Sequence, residues 1–319
     1  MVTFETIYGL NFFTAAVHAV SALVIFVNAF DMQPITRTLE DEAIGPYLPA
    51  VCFQSGRSNA IPDYFFVKPQ MVWELKAYTA TLVTLFFLLS AVFQTVQGGD
   101  KSSYRKRVES NGTNVLRYVE YSFSVSLMVV CIATTLMIFD IFTHVLVFTC
   151  TFACMSLWLV SDCLRANAQR LHIVLRKYPG IIEIQETFDK LNRLKWTTHY
   201  MGWLTFMKLY IFVFGVAYFR TVNRDWDCLQ SLLVNTPATP EWVHAVIISQ
   251  FLLFSCFGLI QFLQFRATPD GTKRMTVSEE IQENMRIGIT TEFSFIMLSL
   301  TAKSILGWVV AGNVLFVKM

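Results

Sequence analysis

A chain of 319 residues that is 54% hydrophobic and only 15% charged has too few polar side chains to coat a soluble globule of its size. A formal net charge of +2 creates no bias toward polyanions, so nucleic acid is not an expected partner. What remains is an all-α, polytopic membrane protein, read as one domain over residues 1–319 with lipid around it.

Seven apolar segments are long enough to cross a bilayer, at about 8–30, 72–96, 115–139, 141–163, 200–220, 242–264 and 287–316. The first lacks a basic leader and a small-residue cleavage site, so it is read as a span and not as a cleaved signal. A long loop follows, carrying Pro34, Pro46, Pro49, Gly56 and Pro62, and is expected to fold over one face. Spans three and four meet in a tight turn near Asp140, where Asp140 and His144 are expected to be solvated at the membrane boundary. Between spans four and five, Ile181, Ile184, Phe188 and Leu191 recur at three- and four-residue spacing, with Glu183, Glu186, Asp189, Lys190 and Arg193 between them. That pattern predicts an amphipathic helix lying on the membrane surface or extending the next span, with docking of a cytoplasmic signalling partner as the alternative. No internal repeat is present.

Loop cations set the orientation. Lys101, Arg105, Lys106, Arg107, Arg165, Arg170, Arg176, Lys177, Lys190, Arg193, Lys195, Arg266, Lys273, Arg274 and Arg286 fall on one side of the seven spans. Only Arg37, Arg57, Lys68, Arg220, Arg224 and Lys318 fall on the other. The excess of Lys and Arg on cytoplasmic loops places the N-terminus in the cytoplasm and the C-terminus outside, in the plasma membrane or a host or organelle membrane. This is the reverse of a G-protein-coupled receptor. The sequon Asn111-Gly112-Thr113 then lies inside and stays unmodified.

The cysteines have no metal-ligand spacing. Cys131, Cys150, Cys154, Cys163 and Cys256 lie in or at the ends of spans and read as small apolar packing residues.

The residue with the strongest chemical implication is Lys303, in Leu298-Ser299-Leu300-Thr301-Ala302-Lys303-Ser304. A lysine at the middle of a span costs about 2.5–3.5 kcal/mol on insertion scales and requires compensation. Span three offers a carboxylate in Arg117-Tyr118-Val119-Glu120-Tyr121-Ser122. Side chains lean toward the N-terminus of their helix, which sends the Lys303 amine toward the half of the bilayer that holds Glu120. Glu120 lies only one to two turns into its span, so the lysine has to reach. Two readings stay open on these residues: a structural ion pair, or an amine that forms an imine with an aldehyde and needs Glu120 as its counterion. Lys208 in span five is a rival amine without a facing acid. No nucleophile and base set is present, so no catalytic residue is assigned.

These two runs resemble the third-helix counterion motif and the retinal-lysine motif of the heliorhodopsins, a family of microbial-type retinal proteins with inverted topology. Asn11 and His18 are similar to the family's first-helix pattern, and Phe254-Ser255-Cys256-Phe257-Gly258-Leu259-Ile260-Gln261 resembles its sixth helix. The resemblance implies a seven-helix bundle holding all-trans retinal on Lys303 as a protonated Schiff base, with Glu120 as the sole carboxylate counterion. It implies Tyr121, Ser124, Met128, Phe254, Ser299 and Trp308 as further retinal contacts, and a homodimer as the assembly. His18, Ser90, Gln94, Arg117 and Glu292 are the implied proton-transfer candidates. Gln94 stands where the family has a second histidine, and Glu292 is either a proton exit or a solvated interfacial acid. Ser299 and Cys131 stand where the outward proton pumps carry acids, which argues against a carboxylate relay. The expected function is a light sensor. A light-gated passive proton channel is the alternative, and a non-photoactive receptor or transporter with a structural ion pair is the second.

Cys52 and Cys228 both fall in loops assigned to the outside, and a disulfide between them is expected. Peptide mass spectrometry without and with reductant is expected to find them linked; two free thiols would remove the bridge.

Overall fold

In the computed structural model the described residues are 2–30, 75–111, 113–136, 138, 140–178, 180–222, 241–268 and 276–315. Cys52 and Cys228, and with them the expected disulfide, lie outside these residues, as does Gly112 of the sequon. Among the described residues the structure is helical: α1 (Phe4–Phe30), α2 (Leu75–Gly99), α3 (Lys101–Asn111), α4 (Val115–Thr135), α5 (Ile141–Lys177), α6 (Ile182–Val222), α7 (Glu241–Ala267) and α8 (Val277–Val310), with a π-helical turn at Ala311–Leu315.

Six of these helices, α1, α2, α4, α5, α7 and α8, have the length and apolarity to cross a membrane. The fifth expected span lies within α6, where His199, Tyr200, Lys208 and Tyr210 dilute the apolar stretch. The seven form a closed ring in which α1 packs on α2, α2 on α4, α4 on α5, α5 on α6, α6 on α7, α7 on α8, and α8 back on α1. α4 also touches α7 and α8, which puts it at the centre. Its apolar window is 72% buried, against 33–50% for the other five, so the functional residues of α4 sit deepest. The protein is an integral, multi-pass membrane bundle.

Local chemistry moves several boundaries away from the hydropathy pattern. α4 stops at Thr135, before the expected 139, and the chain turns at once into α5. Asp140 caps α5 by accepting from Thr143 N at 2.7 Å and Thr143 Oγ1 at 2.6 Å. Those bonds, the Thr143 hydroxyl first, hold the Asp140 carboxyl below its usual range. Asp140 is exposed as expected, but His144 is not solvated. Its ring is buried, with Nε2 2.7 Å from the Ile138 carbonyl and Nδ1 3.1 Å from the Tyr78 hydroxyl, stacked on the Tyr78 ring.

α5 continues to Lys177, well past the expected end at 163. Gly180, at φ 103, turns the chain into α6. The amphipathic stretch after it is the first part of α6, continuous with the fifth span, so it extends that span instead of lying on the membrane surface. α8 likewise starts early, behind a capping box in which Glu279 N donates to Thr276 Oγ1 at 3.3 Å and Thr276 N donates to Glu279 Oε2 at 2.7 Å.

Hydropathy gives no hint of α3, because its eleven residues are strongly polar. Asp100 starts it by accepting from Ser103 N at 3.1 Å, and Tyr104 and Val108, four apart, form its buried stripe. That stripe packs with Ile7, Tyr8, Ile289 and Ile296, so α3 closes the cation-rich end of the bundle over α1 and α8. Tyr8 Oη ties the lid down by donating to the Lys101 carbonyl at 2.6 Å.

α8 comes close to α2 at Gly307, one turn beyond Lys303. A Cβ added there would meet Phe87 Cε2 at 2.3 Å, whereas one added at the exposed Gly9 meets nothing within 4 Å. Gly307→Ala is therefore expected to destabilise the detergent-solubilised protein by about 1–3 kcal/mol through overpacking, seen as a lower melting temperature. Gly9→Ala is expected to be neutral or to stabilise by up to about 1 kcal/mol. Equal effects of the two substitutions would show that the α2 and α8 contact is not tight.

Candidate functional site

The face of α8 that points into the bundle carries Glu292, Phe295, Ser299, Lys303 and Gly307. The matching face of α4 carries Arg117, Glu120, Tyr121, Ser124 and Met128, all buried. Helical periodicity places each set on one stripe, and the ring brings the stripes together.

Lys303 Nζ donates to Glu120 Oε1 at 2.6 Å and to Ser90 Oγ of α2 at 2.6 Å. The Tyr121 ring lies 5.2 Å from the same nitrogen. Lys303 is 1% exposed and Glu120 0%, so the pair is out of contact with solvent. The shallow sequence position of Glu120 does not leave it near water. Thr113 and Asn114, which precede α4, are themselves buried, and Asn114 Nδ2 donates to Gln97 Oε1 at 2.7 Å.

A second buried pair lies nearer the cation-rich end, its arginine one turn before Glu120 on α4 and its carboxylate about three turns before Lys303 on α8. Arg117 forms a salt bridge with Glu292, and Tyr104 Oη donates to Glu292 Oε2 at 3.0 Å. The other guanidinium contacts are Gln97 Oε1 at 3.3 Å, Tyr104 Oη at 3.3 Å and Tyr121 Oη at 3.4 Å. Tyr121 Oη donates onward to the Phe295 carbonyl at 2.9 Å. Glu292 is 5% exposed, so the expectation of a solvated interfacial acid does not hold. Two cations and two carboxylates thus balance within one web joining α2, α3, α4 and α8.

The remaining candidates divide. Ser124 and Ser299 sit one turn from Glu120 and Lys303 respectively, each buried with a hydroxyl that meets no partner among the described residues. The second carboxylate oxygen of Glu120 is also without one. Met128 continues the α4 stripe and Phe254 lies buried on α7 against Tyr210 and Phe257. His18 is buried beside Phe87. His18 and Gln94 are neighbours that make no hydrogen bond of ordinary geometry. Trp308 is not brought to the pair: it is 40% exposed and donates to Ser21 of α1 at 3.2 Å. Five residues on from Lys303, its side chain leaves α8 on another face. The rival Lys208 is exposed.

Four participants are not evident from hydropathy. Tyr104 sits in a polar helix, and only its spacing from Val108 marks it. Gln97 and Asn114 flank the loop that α3 occupies. Gln250 of α7 donates to the Ala302 carbonyl at 3.1 Å and so holds the backbone next to Lys303.

The family model for heliorhodopsins matches residues 7–315, from the start of α1 to the π-helical turn, and takes in both stripes of the site. The chain belongs to the heliorhodopsin family. Among curated proteins none matches the sequence. Heliorhodopsins are retinal-binding, light-sensing rhodopsins, and this member carries side chains that fit the pigment. An aldehyde needs a primary amine away from water and a carboxylate to balance the resulting cation, and the Lys303 and Glu120 pair supplies both groups. The polyene needs an apolar corridor. Aromatic rings that could wall one line the interface of α4, α6 and α7: Tyr121 and Phe257 with ring centroids 5.0 Å apart, Phe254, Tyr210 and Phe206. Gly258 belongs to the same wall: a Cβ there would lie 2.6 Å from Trp203 and 2.9 Å from Trp158, so glycine leaves room for the two indoles.

Breaking one partner of a buried pair leaves an unbalanced charge, which costs about 3–5 kcal/mol. Glu292→Gln is accordingly expected to lower stability by about 3 kcal/mol in thermal or denaturant unfolding, and Tyr104→Phe by about 1 kcal/mol. A Glu292→Gln protein as stable as the parent would show that Arg117 does not depend on that carboxylate.

Proposed function

We propose that Lys303 carries all-trans retinal as a protonated Schiff base, that Glu120 is its counterion, and that the protein signals light. The observation that carries this reading is a fully buried amine 2.6 Å from one carboxylate, in a bundle of the retinal-binding family. Retinal supplies absorption of visible light and an isomerisation that displaces its attached nitrogen. The chain's own groups supply the response. Glu120 holds positive charge at the Nζ position, Ser90 Oγ orients it, and Tyr121 links the pair to Arg117 through its hydroxyl. Weakening the bond between α4 and α8 removes an electrostatic restraint at the centre of the ring, and the helices repack to a second arrangement.

Outward pumping is disfavoured because Ser299 and Cys131, both buried and neither a carboxylate, occupy the relay positions. The excess of loop cations at the end closed by α3 supports a cytoplasmic N-terminus and an extracellular C-terminus. A homodimer and a cytoplasmic signalling partner belong to the same reading. Ile181 and Ile182, exposed at the start of α6, give such a partner apolar surface.

One observation favours a second reading, light-gated passive proton conductance. Asn11, Thr14 and His18 share one buried face of α1, with Gln94 opposite on α2, so polar side chains run from Glu292's end of the bundle toward the Lys303 site.

Lys303→Ala is expected to insert normally and to lose visible absorbance after reconstitution with retinal; retained colour would place the linkage on another amine. Glu120→Gln is expected to shift the absorbance to the red, because the nearby negative charge no longer stabilises the cation at the nitrogen. An unchanged spectrum would assign the counterion elsewhere. Patch-clamp recording under illumination is expected to show no current for the sensor. A sustained current reversing with the proton gradient would establish the channel instead.

A further inference from the structure

Away from the buried pairs, the cation-rich end of the bundle holds a cleft of ≈ 360 Å³ between α5, α6 and the end of α7. Its lining includes three cations, Arg165, Lys195 and Arg266, and no carboxylate among the described residues. Arg165 is built in: Nε donates to Asp162 Oδ1 at 2.7 Å, Nη1 to Gln169 Oε1 at 2.8 Å, and Nη2 to Thr113 Oγ1 at 3.2 Å. Lys195 is 7% exposed, and its ammonium stands 5.6 Å from the ring centroids of both Trp196 and Phe265. Arg266 lies over the Phe262 ring at 5.5 Å. Aromatic faces that hold cations in this way fix where the positive charge is presented.

We infer that this cleft is a binding site for a phosphate-bearing anion, with the headgroup of an acidic phospholipid as the source the geometry favours. Lysine and arginine heads match phosphate oxygens as a point charge and a planar fork, and the Gln169 and Asn192 amides add neutral donors. The position favours a lipid over a free ion. α6 and α7 both enter the bilayer from the cleft, and their next turns are apolar and exposed: Met201 at 50% and Leu204 at 48% on α6, Leu263 at 55% and Leu259 at 49% on α7. A headgroup in the cleft therefore leaves its acyl chains against surface that already faces lipid. Basic pockets between spans on the side carrying the loop cations are where anionic headgroups concentrate. Soluble phosphate shares the headgroup chemistry but gains nothing from that apolar surface.

The full-length protein, purified from neutral-lipid nanodiscs and from nanodiscs containing phosphatidylglycerol, tests this by native mass spectrometry of retained lipid. The parent is expected to keep phosphatidylglycerol selectively. Arg266→Gln, an exposed position that leaves the core untouched, and Lys195→Gln are each expected to weaken retention about tenfold. Arg193→Gln, which removes an exposed cation outside the cleft, is expected to change nothing. In parallel, inorganic phosphate is titrated against delipidated protein in a thermal-shift assay. Protection by phosphate that disappears in Arg266→Gln, without lipid selectivity, supports the same site with a soluble occupant. Equal lipid retention across all variants, together with no phosphate effect, would overturn the proposal. Circular dichroism of each variant separates lost binding from lost folding.

Discussion

An amine and a carboxylate share the driest part of this bundle, and neither is tolerable there without the other. At the few ångströms that separate them, their attraction in a low-dielectric interior is large, but so is the cost of stripping each of water. A lipid-facing surface cannot offset that cost, so the surrounding helices have to supply geometry. α4 is central because it carries Glu120 and Arg117 on one stripe, and α8 approaches α2 closely enough, across Gly307, for Lys303 to reach Ser90 as well.

The second pair follows from the first. Arg117, one turn from Glu120, and Glu292, about three turns from Lys303, lie toward the cation-rich end, and without a cover they would be hydrated and only weakly coupled to Lys303. α3 is that cover. Its Tyr104 reaches down to both members of the pair, and Tyr121 passes the contact on to the Phe295 carbonyl and to the face beneath Lys303. Any change in charge at Lys303 is therefore felt at the Tyr121 ring beside it and, through the Tyr121 hydroxyl, by the hydrogen bonds that reach α2, α3, α4 and α8. A photoreceptor whose output is a rearrangement of helices requires coupling of this type.

The seven spans were legible in the sequence because bilayer thickness imposes a minimum apolar length, and Lys303 and Glu120 stood out because charge is costly inside such a length. What the sequence concealed depends on packing across the ring. α3 has no apolar run, so its existence rests on an Asp100 cap and a two-residue stripe. The burial of Glu292 depends on that helix, which is why an acid near a span end read equally well as solvated. The resemblance implied Trp308 as a pigment contact, but five residues of helix rotate it off the Lys303 face. His144 was misread for the opposite reason: a boundary position suggests water, yet Tyr78 and the Ile138 carbonyl take both ring nitrogens.

The uninterrupted run of α6 has a mechanical implication. Its 41 residues extend about 60 Å, roughly twice the hydrocarbon thickness of a bilayer. A single stiff rod of that size cannot bend where it leaves the lipid, so its outlying portion follows the embedded portion as a lever. Each degree of tilt displaces the distant tip by about 0.5 Å for an arm of about 30 Å. With α5 strapped alongside by the Ser161 hydroxyl on the Lys195 carbonyl and the Cys154 thiol on the Gly202 carbonyl, the two move as one beam. Sub-ångström shifts around a pigment would then arrive amplified well beyond the membrane.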